Sequence, residues 1–169
     1  MSLICRRDVT RSTTARRPRK AYTPMLATPI LALLLLALAS ASQAWAAELA
    51  TPRTIVVDGK QRKFNVFAPP GAKRAALIIT LHGHGQSARQ MEALTGWNVV
   101  AAEHGAVVVY PLARGARWRI FGASSPDVDF LLALIDQLAS EGLVDPARVF
   151  VNGYSGGAQM SWRFACQVP

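Results

Sequence analysis

A serine stands between glycines in Gly153-Tyr154-Ser155-Gly156-Gly157, after the apolar run Val149-Phe150-Val151 and before a helix-forming stretch. Gly-x-Ser-x-Gly between a strand and a helix is the pattern of a nucleophile elbow, a sharp turn that holds the serine hydroxyl out at its apex. Glycines suit the flanks because the two backbones come close there and the serine's own dihedrals are strained. A serine hydroxyl is a poor nucleophile unless a base accepts its proton. When it attacks an ester carbonyl, the carbonyl oxygen becomes negative, and a preorganised backbone N–H can hold that charge. Ser155 is therefore the candidate nucleophile, with the Gly156 N–H as the nearest candidate for the oxyanion hole.

A second glycine-rich stretch, Leu81-His82-Gly83-His84-Gly85, ends another apolar run. In a strand–turn–helix hydrolase the loop at this place supplies the second oxyanion N–H. The backbone of His84 is the first candidate donor and Gly83 the next. His82 reads as the residue that orients the loop through its ring. His82-x-His84 has the spacing of a metal pair, but no Cys, Asp or Glu follows at ligand spacing. Gly83-His84-Gly85 lacks the further glycine and the lysine of phosphate loops. No metal and no cofactor is expected. His104, at a helix end, reads as structural, and Asp127 and Asp129 read as helix N-terminal acids rather than a catalytic pair. A general base is missing from the expected place. A triad of this class runs Ser, then Asp or Glu, then His, and the 14 residues after Ser155 contain none of the three.

The elements that must position these residues follow from periodicity. Thr54–Val57 and Phe64–Phe67 flank Asp58-Gly59, a strong hairpin signal. Residues 75–81 form a continuous apolar run, as in a strand covered on both faces. Residues 91–104 read as helical, with Leu94, Trp97, Val100 and Ala101 on one face, a break near Gly96 and a stop at Gly105. Residues 106–110 form the next buried strand, closed by Pro111. A loop over 112–125 carries Trp118 and Phe121. Ser125-Pro126-Asp127 reads as a cap, a first-turn proline and an acid. Phe130, Leu131, Leu134, Ile135 and Leu138 form that helix's stripe, which Gly142 ends. Arg148–Val151 is the third buried strand, and residues 156–167 are the last helix. A hairpin followed by strand–helix three times predicts a mostly parallel sheet with helices on both faces. Ligands bind such sheets at the carboxyl ends of the strands, where His82–Gly85 and Ser155 both fall.

The start of the chain has a separate logic. Residues 1–24 hold seven basic residues and one acid, the run Ile30–Ala39 is apolar, and Ala44-Trp45-Ala46 follows. That order is a secretory signal peptide, with the cut after Ala46. Ten apolar residues fall short of the roughly 20 that span a bilayer, so no stable membrane anchor is expected. Arg6-Arg7 and Arg16-Arg17 leave general secretion and twin-arginine export both open. The domains are thus residues 1–46, signal peptide, and 47–169, the hydrolase portion, in a secreted or periplasmic protein. Of the net charge of +9, the leader carries +6, and no basic run with interleaved aromatics remains, so no nucleic-acid partner is expected. Cys5 leaves with the leader. Cys166 is then a free thiol, half of an intermolecular bridge, or paired with a residue on chain not present.

Leu81-His82-Gly83, Gly96-Trp97, Val109-Tyr110-Pro111, Asp127-Val128-Asp129-Phe130, Val144-Asp145-Pro146-Ala147-Arg148-Val149 and Gly153-Tyr154-Ser155-Gly156-Gly157 occur in this order. Together they resemble the secreted poly(3-hydroxybutyrate) depolymerase and feruloyl/acetyl-xylan esterase group of the α/β-hydrolase superfamily, over residues 54–169. The resemblance implies a serine esterase acting on a polyester or an acylated polysaccharide through an acyl-enzyme. It implies Ser155 as nucleophile, and Gly156 with the His82–Gly85 loop as oxyanion hole. It further implies a disulfide for Cys166, and a catalytic Asp and His after later strands that have no counterpart here. Ala158 stands where the group commonly has a further glycine. The expected protein is the N-terminal part of an α/β-hydrolase domain whose C-terminal portion is missing. The other expectation is an inactive truncated remnant. A peptidase of the same fold is less favoured, because no propeller or other gating domain precedes the core.

Overall fold

Asp58 and Gly59 both take positive φ, 49° and 69°, as a two-residue hairpin loop requires. They join β1 (Thr51–Val57) to β2 (Lys60–Phe67) in an antiparallel pair with Val57 opposite Lys60. The computed structural model describes residues 49–168, so the leader and its cut lie outside the described residues.

Three further strands complete a five-stranded sheet in the order β1-β2-β4-β3-β5. They are β3 (Ala75–Leu81), β4 (Val107–Leu112) and β5 (Val144–Gly153). The pairings β3–β4 and β3–β5 are parallel, and β2–β4 is antiparallel. Strand β3, interior between β4 and β5, shows why its run is continuously apolar. Leu77, Ile79 and Leu81 enter one core, and Ala76 and Ile78 pack against the other. Fully burying each of the larger side chains contributes about 1.5–3 kcal/mol.

Four helices cover the two faces: α1 (Ala88–Thr95), α2 (Trp97–His104), α3 (Pro126–Ser140) and α4 (Gly156–Gln167). The core with Leu77 takes in α3 and α4 through Leu131, Leu134, Met160 and Phe164. The opposite core takes in α1 and α2 through Met91 and Ala101. All five stripe residues of α3 are buried as expected. The break at Gly96 is also as expected, with Gly96 in the left-handed region closing α1 and opening α2.

Three local readings need correction. Leu94 is 61% exposed and Val100 39% exposed. The break rephases the helix, and the buried face instead carries a polar chain. Tyr110 Oη donates to Asn98 Oδ1 and Asn98 Nδ2 to Glu92 Oε1, both at 2.8 Å. Burial raises the Tyr110 pKa, so its hydroxyl stays a donor. Strand β5 is not buried on both faces. Val149 and Val151 pack against the core of α3 and α4, while Phe150 is 60% exposed because no described element covers its side. Ser125 precedes α3 but does not cap it, since its hydroxyl donates to the Arg119 carbonyl.

Candidate active site

Strand β5 ends at Gly153 and α4 begins at Gly156, leaving Tyr154 and Ser155 to make the whole turn. Ser155 sits at φ 50°, ψ −115°. A non-glycine residue holds such dihedrals, at about 1–3 kcal/mol, only when its surroundings over-determine them. Here Tyr154 N–H donates to Leu81 O (3.1 Å) and Gly157 N–H to Tyr154 O (2.8 Å). Ala158 N–H and Gln159 N–H both donate to Ser155 O. The result is an exposed serine at the carboxyl edge of the sheet.

The motif glycines are a packing requirement. A methyl group on Gly153 would stand 2.5 Å from the Gly157 carbonyl carbon, and one on Gly157 would stand 2.1 Å from Leu81 O. Thus β5, α4 and the end of β3 cross backbone on backbone. Gly156 opens α4, so its N–H has no acceptor within the helix and lies at the positive end of the helix dipole.

The loop after β3 closes on the same point. Gln86 N–H donates to Gly83 O (3.1 Å), and Gly83 N–H donates to Gln86 Oε1 (2.8 Å). The Gly83 N–H is therefore occupied, whereas that of His84 has no acceptor among the described residues. The His84 ring lies against Gly156, where an added methyl would be 2.4 Å from Cδ2. The turn that carries the candidate nucleophile and the ring of His84 thus meet at Gly156.

His82 is a fully buried support for that loop. Its Nε2 accepts the Ala113 N–H at 3.0 Å, which places its proton on Nδ1, 2.7 Å from Gly83 O. Burial lowers its pKa first of all, with the Gly83 contact acting the other way. Both nitrogens are engaged within the protein, so the ring is no metal ligand and no base. Trp118, whose role the sequence did not signal, donates its indole N–H to His82 O at 2.7 Å. Buried Arg163 of α4 donates Nη1 to Ile120 O (2.5 Å) and Nη2 to Gly122 O (2.8 Å). The loop from β4 to α3 is therefore tied both to the His82 strand end and to the elbow helix.

Among the described residues, no histidine, aspartate or glutamate hydrogen-bonds the Ser155 hydroxyl, and no group of three His, Cys, Asp or Glu is placed to hold a metal. His104 lies in the last turn of α2, which Gly105 caps. Asp127 does more than serve a helix end. It is buried and ion-paired with Arg62 at 2.5 Å. Cys166 is exposed, with no disulfide among the described residues.

No family model matches the chain. In sequence it is 34% identical over 134 residues to NocK of Nocardia uniformis subsp. tsuyamanensis, named as an esterase, covering 70% of this chain and 38% of that protein. It is 32% identical over 115 residues to the bifunctional acetylxylan esterase/xylanase XynS20E of Neocallimastix patriciarum, covering 65% of this chain and 16% of that one. It is 30% identical over 105 residues to poly(3-hydroxyalkanoate) depolymerase C of Paucimonas lemoignei, covering 56% and 25%. The chain thus spans well under half the length of each of these relatives. Among solved structures, acetyl xylan esterase from Aspergillus awamori superposes with a TM-score of 0.59 at 15% identity, over 70% of this chain and 47% of that one. The chain has an α/β-hydrolase fold, present in part, and its sequence resembles the group of esterases and polyhydroxyalkanoate depolymerases.

Proposed function

We propose that this chain is the nucleophile-bearing portion of a secreted serine esterase, exported by residues 1–46 and folded from residue 47 onward. Ser155 Oγ attacks the ester carbonyl, forming the Oγ–C bond as the C–O bond to the alcohol breaks. The proton from Oγ passes through a base to the departing alcohol. Water then releases the acid from Ser155 by the same route in reverse. The N–H groups of Gly156 and His84 hold the oxyanion, and Gly83 shapes the loop. The observation that carries this reading is the forced turn at Ser155, with its φ of 50° and the His84 loop against Gly156. The substrate class is a polyhydroxyalkanoate-type polyester, or an acyl or feruloyl ester on polysaccharide, as the names of the similar proteins suggest. No cofactor takes part.

Trapping tests this without requiring turnover. A reactive aryl phosphonate should add once, over hours, to the peptide containing Ser155, and Ser155→Ala should abolish the adduct. Labelling on any other residue, or none, overturns the assignment.

A further inference from the structure

A depression lies beside the carboxyl end of β4. Lys60, Arg114, Arg117 and Arg119, with Pro126 and Asp127, line a cleft of about 410 Å³. Gly115 lines it too, so four of its seven lining residues are cationic. The one acid is already engaged, because Asp127 Oδ1 accepts from Arg62 (2.5 Å) and Oδ2 accepts the Arg119 N–H (2.7 Å). None of the ion pairs among the described residues uses Lys60, Arg114, Arg117 or Arg119. All four are exposed. Like charges gathered without counter-ions repel, and an anion seated among them removes that cost. The first turn of the 15-residue α3 adds positive potential at the same place.

Two contacts link the loop that lines the cleft to the loop beside Ser155. Ala116, between the cleft residues Gly115 and Arg117, accepts the Gly85 N–H at 2.9 Å. One residue before Gly85, the His84 ring lies on Gly156.

We infer that the Lys60–Arg114–Arg117–Arg119 cleft is an anion subsite that holds the carboxylate of a hydroxyacid oligomer. Guanidinium forks match a carboxylate with two parallel N–H donors. The identity of the anion rests on the proposed function; the cationic cleft does not. Hydrolysis adds water across the acyl C–O bond, giving a hydroxyl on one fragment and a carboxylic acid on the other. The acid loses its proton at neutral pH. Every chain of a hydroxyacid polyester, cut or uncut, therefore ends in a carboxylate.

Calorimetric titration of the full chain at low salt tests this with three probes: the linear 3-hydroxybutyrate trimer as free acid, its neutral methyl ester, and inorganic phosphate. The free acid should bind roughly tenfold more tightly than the methyl ester, one lost charge-assisted contact being worth about that factor. Arg114→Gln/Arg117→Gln should weaken the acid by a similar factor while circular dichroism stays unchanged. Ser155→Ala should bind as the wild type. Equal binding of acid and methyl ester, or binding indifferent to the arginines, overturns the subsite. Phosphate binding more tightly than the acid overturns the carboxylate assignment. Acid binding with no phosphonate adduct on Ser155 fails the esterase reading alone, and an adduct without acid binding fails the subsite alone.

Discussion

Gly157 and Leu81 touch backbone to backbone, so closely that a methyl group on Gly157 would stand 2.1 Å from the Leu81 carbonyl oxygen and 2.7 Å from that of His82. Neither oxygen can yield, because Leu81 ends the interior strand β3 and the His82 carbonyl accepts the Trp118 indole N–H. Gly157→Ala and Gly153→Ala should each destabilise by about 1–3 kcal/mol or more, as overpacking does. Gly156 is different. The three atoms nearest its added methyl all belong to the ring of exposed His84, which can swing away. Gly156→Ala should cost less, and the pair Gly156→Ala/His84→Ala less again. Urea unfolding of the variants measures the order. A Gly157→Ala protein as stable as wild type would mean the elbow is not packed this way.

His82 should make the fold acid-sensitive. Its buried ring accepts the Ala113 N–H at Nε2, so burial lowers its folded pKa below the ordinary 6.5. As pH falls through about 6.5 the unfolded chain takes up a proton that the folded chain refuses. Stability from this group is full above that pH and declines below it, until the folded pKa is reached. His82→Gln should flatten this slope and cost about 1–3 kcal/mol at pH 7, from the partners left unsatisfied. Unfolding free energies measured between pH 5 and 8 decide it. An unchanged slope in the variant would place the acid sensitivity elsewhere.

What was legible in the sequence was whatever is local or periodic. Asp58-Gly59 gave the hairpin because its two positive φ angles belong to the turn itself. The α3 stripe and the β3 run gave their elements because burial repeats at fixed spacing. The elbow was legible because its glycines answer to atoms four residues apart and to β3. Side chains that act across long separations left no such mark. Arg62 meets Asp127 across 65 positions, and Arg163 reaches Ile120 across 43. The polar residues Glu92 and Asn98 on the buried face of α1 and α2 reversed the apolar reading of Leu94 and Val100. Periodicity likewise could not tell that Phe150 would face outward.

Arg62 and Asp127 form an ion pair with both side chains 3% exposed, and the Arg62 guanidinium lies 4.0 Å from the Phe130 ring centroid. Asp127→Ala should destabilise by about 3–5 kcal/mol, since it leaves a buried cation unpaired. It also orphans the Arg119 N–H. Replacing both partners, as Arg62→Met/Asp127→Leu, removes the charge as well as its partner and should cost clearly less. Chemical denaturation of the two variants reads the difference. A double variant weaker than Asp127→Ala would show that the pair itself, rather than the stranded charge, carries the energy.

Ser155 is exposed at a forced turn that opens α4, with no base or acid bonded to its hydroxyl among the described residues. A serine site without base and acid retains only about 10³–10⁴-fold acceleration over water, from the oxyanion hole and binding. The 169-residue chain should therefore hydrolyse p-nitrophenyl butyrate little or not at all, even where a phosphonate labels Ser155 over hours. Initial rates for the wild type and Ser155→Ala, each corrected for the uncatalysed reaction, make the comparison. Enzyme-like turnover lost in Ser155→Ala would overturn this expectation. Within the described residues His84 would be the first candidate to take the proton, because His82 has both ring nitrogens engaged and the His84 ring lies against Gly156. His84→Ala would abolish that turnover, whereas a general base outside the chain would leave it intact.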